Sequence, residues 1–83
     1  MVIVYALYNR KHAQTYIGQT KDLGTRIRLH NNKVFKGSYT SRFDGEWEVI
    51  YSEEVSDRRG ALKREKQLKS FRGREFIKQF IPG

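Results

Sequence analysis

The chain opens on a continuous apolar run, Val2-Ile3-Val4-Tyr5-Ala6-Leu7-Tyr8, which gives way to polar Asn9-Arg10-Lys11-His12 and then to Thr15-Tyr16-Ile17-Gly18. Two β-branched and aromatic runs around a short polar break predict a β-hairpin. The two-residue period of a strand sets Tyr8 on the face opposite Tyr5, with Ile3 and Leu7 on the Tyr5 side. From Asp22 onward the spacing changes. Leu23, Arg26, Ile27 and His30 recur along one face of a helix that Asp22 caps and Asn31-Asn32 would end. Residues 33–45 mix glycine, serine, threonine and aspartate with aromatics, which predicts a loop. Glu46 to Ser52 alternates as a third strand, with Trp47, Val49 and Tyr51 on one face. Ser56 or Asp57 then caps a helix to about Ser70, Arg72-Gly73-Arg74 breaks the pattern, and Glu75 to Phe80 forms a short closing helix stopped near Pro82. The expected order is β-β-α-β-α-α.

Eighty-three residues without a repeat or linker make one domain, residues 1–83. Cysteine is absent, so neither a disulfide framework nor a thiolate metal site is available. That fits a cytoplasmic setting. The apolar N-terminal run is too short to cross a bilayer or act as a signal peptide, so no membrane association is expected. Seventeen Lys and Arg against nine acids give a net charge of +8. The charge is uneven, because most acids crowd between Asp44 and Asp57 while basic segments lie on either side. A domain with one phosphate-facing side has this pattern; a solvated basic surface is the alternative. Gln19, Lys21, Arg28, Lys33, Lys36, Arg42, Lys69, Arg72 and Arg74 are the expected nucleic-acid contacts. In the predicted loop, Lys36, Tyr39 and Arg42 are placed to grip a strand, or else Phe35 and Tyr39 pin the loop to the core.

Glu65 is the residue that most needs an explanation. It shares a helix face with Ala61 and Leu68, in a stripe that Leu62 widens and Phe71 extends, and a carboxylate there costs free energy unless paired or bound. Either it holds one Mg²⁺ or Mn²⁺ ion or it pairs with an arginine such as Arg26. Arg26 has the planar fork that suits phosphate oxygens, and His30, one turn on, is able to relay a proton near neutral pH. Tyr5 and Tyr16 point to one sheet face. Beside a divalent cation and an arginine, a phenolate becomes accessible as a base for the water that attacks phosphorus. The plainer role for both is that of amphipathic core tyrosines with the hydroxyl at the rim.

These motifs, in this order, resemble the GIY-YIG nuclease domain over nearly the whole chain, and most closely the short stand-alone bacterial members that are similar to excinuclease-type endonuclease domains. Tyr16-Ile17-Gly18 is an intact YIG element, whereas Ile3-Val4-Tyr5 keeps the tyrosine of the first element but not its glycine. Gln19 to Ile27 is similar to the family's helix entry ending in its arginine, and Ala61 to Lys69 to the segment bearing its glutamate. The resemblance implies an α+β fold with a small three-stranded, mainly antiparallel sheet flanked by helices. It also implies one-metal hydrolysis of DNA phosphodiesters, with structure selectivity, a link to DNA repair or recombination, and a targeting protein partner as further expectations. The implied catalytic roles are Tyr16 as base or its hydrogen-bond partner, Tyr5 as orienter, Arg26 as phosphate clamp, His30 in proton transfer and Glu65 as ligand of Mg²⁺ or Mn²⁺. One departure stands out: no asparagine follows Asn32, which leaves phosphate positioning to Lys69, Arg72 or Arg74. A catalytically weak nucleic-acid-binding module of the same fold is the alternative.

Overall fold

An unbroken apolar run suits a strand covered on both faces, and Val2–Asn9 is such a strand, β1, at the centre of the sheet. The computed structural model describes residues 1–31 and 42–82. After β1 come β2 (Gln14–Thr20), α1 (Leu23–Asn31), β3 (Trp47–Val55), α2 (Arg58–Lys69) and α3 (Phe71–Lys78), in the order the sequence predicts. The strands are antiparallel and lie β2-β1-β3, so β2 and β3 are both edges.

The two faces of β1 carry separate cores. Tyr5, Leu7 and Trp47 are buried with Leu23 and Ile27 of α1. Val2, Val4, Ala6 and Ile17 face Ala61 and Leu68 of α2 and Ile77 of α3. The predicted period of β1, with Ile3 and Leu7 beside Tyr5, is the one observed.

Polar side chains set the helix boundaries. Asp22 accepts the Thr25 amide at 3.1 Å and its hydroxyl at 2.8 Å, starting α1. Asp57 accepts the Gly60 amide at 2.8 Å, starting α2. At the other end of α1, Asn31 accepts from the Trp47 amide at 2.7 Å and donates to the Trp47 carbonyl at 3.1 Å. This pair ties the end of the helix to the first residue of β3.

Three expectations need correction. Trp47 and Tyr51 do not share a face: the β1–β3 register steps from Ala6↔Tyr51 to Leu7↔Val49, leaving Ile50 as an extra residue. A bulge of this kind interrupts the two-residue alternation, and both Ile50 and Tyr51 pack on the α2–α3 side. Secondly, Arg72-Gly73-Arg74 lies inside α3, which begins at Phe71. A Cβ on Gly73 would stand 2.1 Å from the Gln67 carbonyl oxygen, so the glycine permits close helix contact instead of breaking the helix. Ser70 links the two helices, donating to the Gln67 carbonyl and accepting the Gly73 amide. Thirdly, Leu62 and Phe71 do not join the apolar stripe; they are 56% and 72% exposed. Of the predicted loop, Lys33, Phe35, Lys36 and Tyr39 lie outside the described residues, as does Asn32.

Candidate active site

The β1–β2 register brings Tyr5 opposite Gly18 and Leu7 opposite Tyr16, which turns both tyrosine rings toward α1. Their centroids are 6.3 Å apart. Gly18 makes room for this pair, since a Cβ there would lie 2.7 Å from the Tyr5 hydroxyl and 2.9 Å from the Tyr16 ring. His30 closes the group from above. It is buried near the end of α1, with its ring 5.1 Å from that of Tyr16 and its Nε2 3.3 Å from the Tyr5 hydroxyl.

Burial pushes the Tyr5 phenol above its ordinary range, the nearby Tyr16 adds to this, Arg26 opposes it, and Glu65 raises it again. The phenol therefore stays protonated at neutral pH, within hydrogen-bond distance of His30 Nε2. Arg26 and Glu65 belong to helices that pack on opposite faces of the sheet.

Glu65 is half-buried, with its side chain 20% exposed. Its Oε1 accepts the Gln19 amide at 3.3 Å and its Oε2 the Lys69 ammonium at 2.8 Å. Arg58 donates in turn to Gln19 Oε1 at 3.1 Å. The sequence pattern asks for a metal or an arginine at this inward carboxylate; a lysine one turn away on the same helix and an amide from β2 satisfy both of its oxygens. Nothing in the residue pattern singles out Arg58 or gives Gln19 a place at the carboxylate.

Among the described residues, no three His, Asp or Glu side chains form a metal cluster. The donor set at Glu65 is one carboxylate. That fits Mg²⁺ or Mn²⁺, which keep several waters and bind through one or two carboxylates plus substrate phosphate, and does not fit an all-protein cage.

The other expected contacts are dispersed. Lys21 and Arg28 are exposed at either end of the first turns of α1, where Arg28 approaches the Thr25 hydroxyl at 3.5 Å. Arg42 is exposed beside Phe43, whose ring packs 6.2 Å from Trp47. Lys33 and Lys36 lie outside the described residues. Arg74 and Lys69 line the same groove as Tyr16, whereas Arg72 borders a different depression with Arg64 and Phe76. Among the described residues, no helix is long and apolar enough to cross a membrane.

The GIY-YIG catalytic domain, as a family model, matches residues 1–76. A UPF0213 protein of Staphylococcus epidermidis is 31% identical over 68 residues, which cover 82% of this chain and 80% of that protein. The fold is similar to the solution NMR structure of a UPF0213 protein from Bacillus halodurans, with a TM-score of 0.54 and 26% identity, covering 100% of this chain and 88% of the other.

Proposed function

Because the chain belongs to the GIY-YIG catalytic domain family, a family of nucleases, we propose that it is a divalent-metal-dependent endonuclease that hydrolyses DNA phosphodiesters by a one-metal mechanism. The observation that carries this reading is the packing of Tyr5 and Tyr16 over Gly18 against His30, with Arg26 and Glu65 near enough to bear electrostatically on the Tyr5 phenol. Glu65 would hold the cation, Mg²⁺ or Mn²⁺, which supplies Lewis-acid charge opposite the phosphate. Arg26 clamps two phosphate oxygens and stabilises the charge that builds on them. The Tyr16 oxygen takes the proton from the attacking water as the new P–O bond forms, while the bond from phosphorus to the leaving sugar oxygen breaks and that oxygen takes a proton from solvent. Tyr5, held protonated by burial, orients the site through its contact with His30, which serves in proton transfer. Gln19 fixes the Glu65 carboxylate from the β2 side. Lys69 and Arg74 serve in place of the missing asparagine as phosphate contacts.

A structure-selective role in DNA repair or recombination, in the cytoplasm and with a partner protein for targeting, is the setting this chemistry suits. The second reading is a binding module in which the Lys69 pair to Glu65 is purely structural. Supercoiled plasmid incubated with Mn²⁺ or Mg²⁺ separates the two. Nicking that needs the metal and is lost in both Glu65→Ala and Arg26→Ala supports the nuclease; binding that ignores EDTA, without nicking, supports the module.

A further inference from the structure

Arg58 and Glu65 both belong to α2, and their spacing sets them on the same side of the helix, roughly two turns or about 10 Å apart along its axis. Gln19 spans that gap from β2. Ile17 packs with Ala61 and Leu68 of α2, and the two-residue period of β2 sets Gln19 on the same face. Its Oε1 accepts from Arg58 at 3.1 Å, and its Nε2 donates to Glu65 Oε1 at 3.3 Å.

We propose that Arg58 is a positioning residue for the divalent cation: by fixing which way the Gln19 side-chain amide faces, it holds the Glu65 carboxylate ready to receive the ion. The inference rests on the nuclease reading, in which Glu65 is the cation's ligand, and adds the residue that prepares it. A side-chain amide has a donor end and an acceptor end of nearly equal shape, and turning it over would set its oxygen against the carboxylate. A guanidinium only donates. Arg58 therefore takes the oxygen and leaves the NH₂ group for Glu65. The carboxylate is then held by Gln19 on Oε1 and by Lys69 on Oε2, and each oxygen keeps a further lone pair for a cation. Outer groups that orient a ligand in this way are commonly worth about ten- to a hundredfold in metal affinity. Arg58 is itself placed by Asp57, which caps the first turn of α2. A cation at a helix N-terminus opposes the helix dipole, so helix stability alone favours some other residue there.

The sign of the effect tests the proposal. Were Arg58 merely a positive charge near the site, it would repel a dication, and Arg58→Met would tighten Mn²⁺ binding. As a positioning residue it acts through Gln19, and Arg58→Met weakens Mn²⁺ binding by roughly tenfold. Electron paramagnetic resonance of free Mn²⁺ reads the affinity of the wild type, Arg58→Met, Gln19→Met and the double variant, and urea midpoints report the stability of each. The expected result is weaker binding in both single variants, with no further loss when Arg58→Met is added to Gln19→Met, because the group that Arg58 acts through is gone. The midpoint of Arg58→Met stays at the wild-type value or rises. Unchanged or tighter binding in Arg58→Met, or losses that add in the double variant, overturns the proposal. So does a lowered midpoint that accounts for the lost binding, which would assign Arg58 to the fold. Glu65→Ala in the same titration separates the inference from the reading beneath it. Binding abolished by Glu65→Ala but untouched by Arg58→Met removes the positioning role alone; binding that ignores Glu65→Ala removes Glu65 as the ligand, and the positioning role with it.

Discussion

The Tyr5 hydroxyl lies 3.3 Å from His30 Nε2 in a buried contact that joins the central strand to the end of α1. Because burial raises the phenol's proton affinity, the pair holds its proton in the folded protein under conditions in which the unfolded chain would release it.

That difference fixes the alkaline limit. Below about pH 10, the ordinary phenol value, both states keep the proton and the stabilisation is fully present. As pH rises beyond it, the unfolded chain ionises first and stability falls until the folded value is passed. Tyr5→Phe loses about 0.5–1.5 kcal/mol at neutral pH with the hydrogen bond, but its stability declines less steeply than the wild type's above about pH 10. Urea midpoints across that range would show it, and parallel curves would rule out an elevated phenol at this position.

Gly18→Ala forces the Tyr5 hydroxyl aside, since the added carbon would stand 2.7 Å from it. The expected cost is about 1–3 kcal/mol of stability from overpacking. The loss of nicking should be larger in proportion, about a hundredfold, because displacements of an ångström disrupt positioned chemistry. A folded variant that nicks plasmid at the wild-type rate would remove Tyr5 from the site.

Lys69 pairs with the Glu65 carboxylate proposed here to hold the cation. Replacing it with methionine keeps the stem and removes a positive charge beside that carboxylate. Mn²⁺ should then bind about three- to tenfold tighter, after allowance for solvent screening. Electron paramagnetic resonance of free Mn²⁺ during titration reads this without any substrate. Weaker binding in Lys69→Met would mean that the ammonium helps to build the site.

At the far end of the sheet, hydrogen bonds from Lys11 and His12 hold the Asp44 carboxyl at about 2, below its ordinary 3.8. The stabilisation is present above pH 3.8 and is lost as pH falls through about 2. Asp44→Asn should therefore lower the melting temperature at pH 6 and leave it unchanged at the acid end of that window.

β1 and α1 were legible because their apolar spacing matched the period of the structure they formed, and the caps at Asp22 and Asp57 carry their own signal. Tyr51 was not legible. Its face depends on one extra residue in β3, which appears only when β3 is set against β1. Gly73 misled for a related reason: its value lies in an approach to Gln67 and Leu68 that no local pattern reveals. At the candidate site, the motif singles out Tyr5, Tyr16, Arg26, His30 and Glu65 as residue types suited to that chemistry, and the fold packs Tyr5, Tyr16 and His30 together. The Gln19 and Arg58 relay was silent because amide and guanidinium groups look alike in sequence wherever they point.

Ser70 gives the molecule a mechanical property as well. One hydroxyl grips the end of α2 and the start of α3, and at Gly73 the backbones of the two helices touch. The elbow is a bracket and not a hinge. Arg74 and Lys78 on α3 are thereby set at a fixed distance from Glu65 on α2.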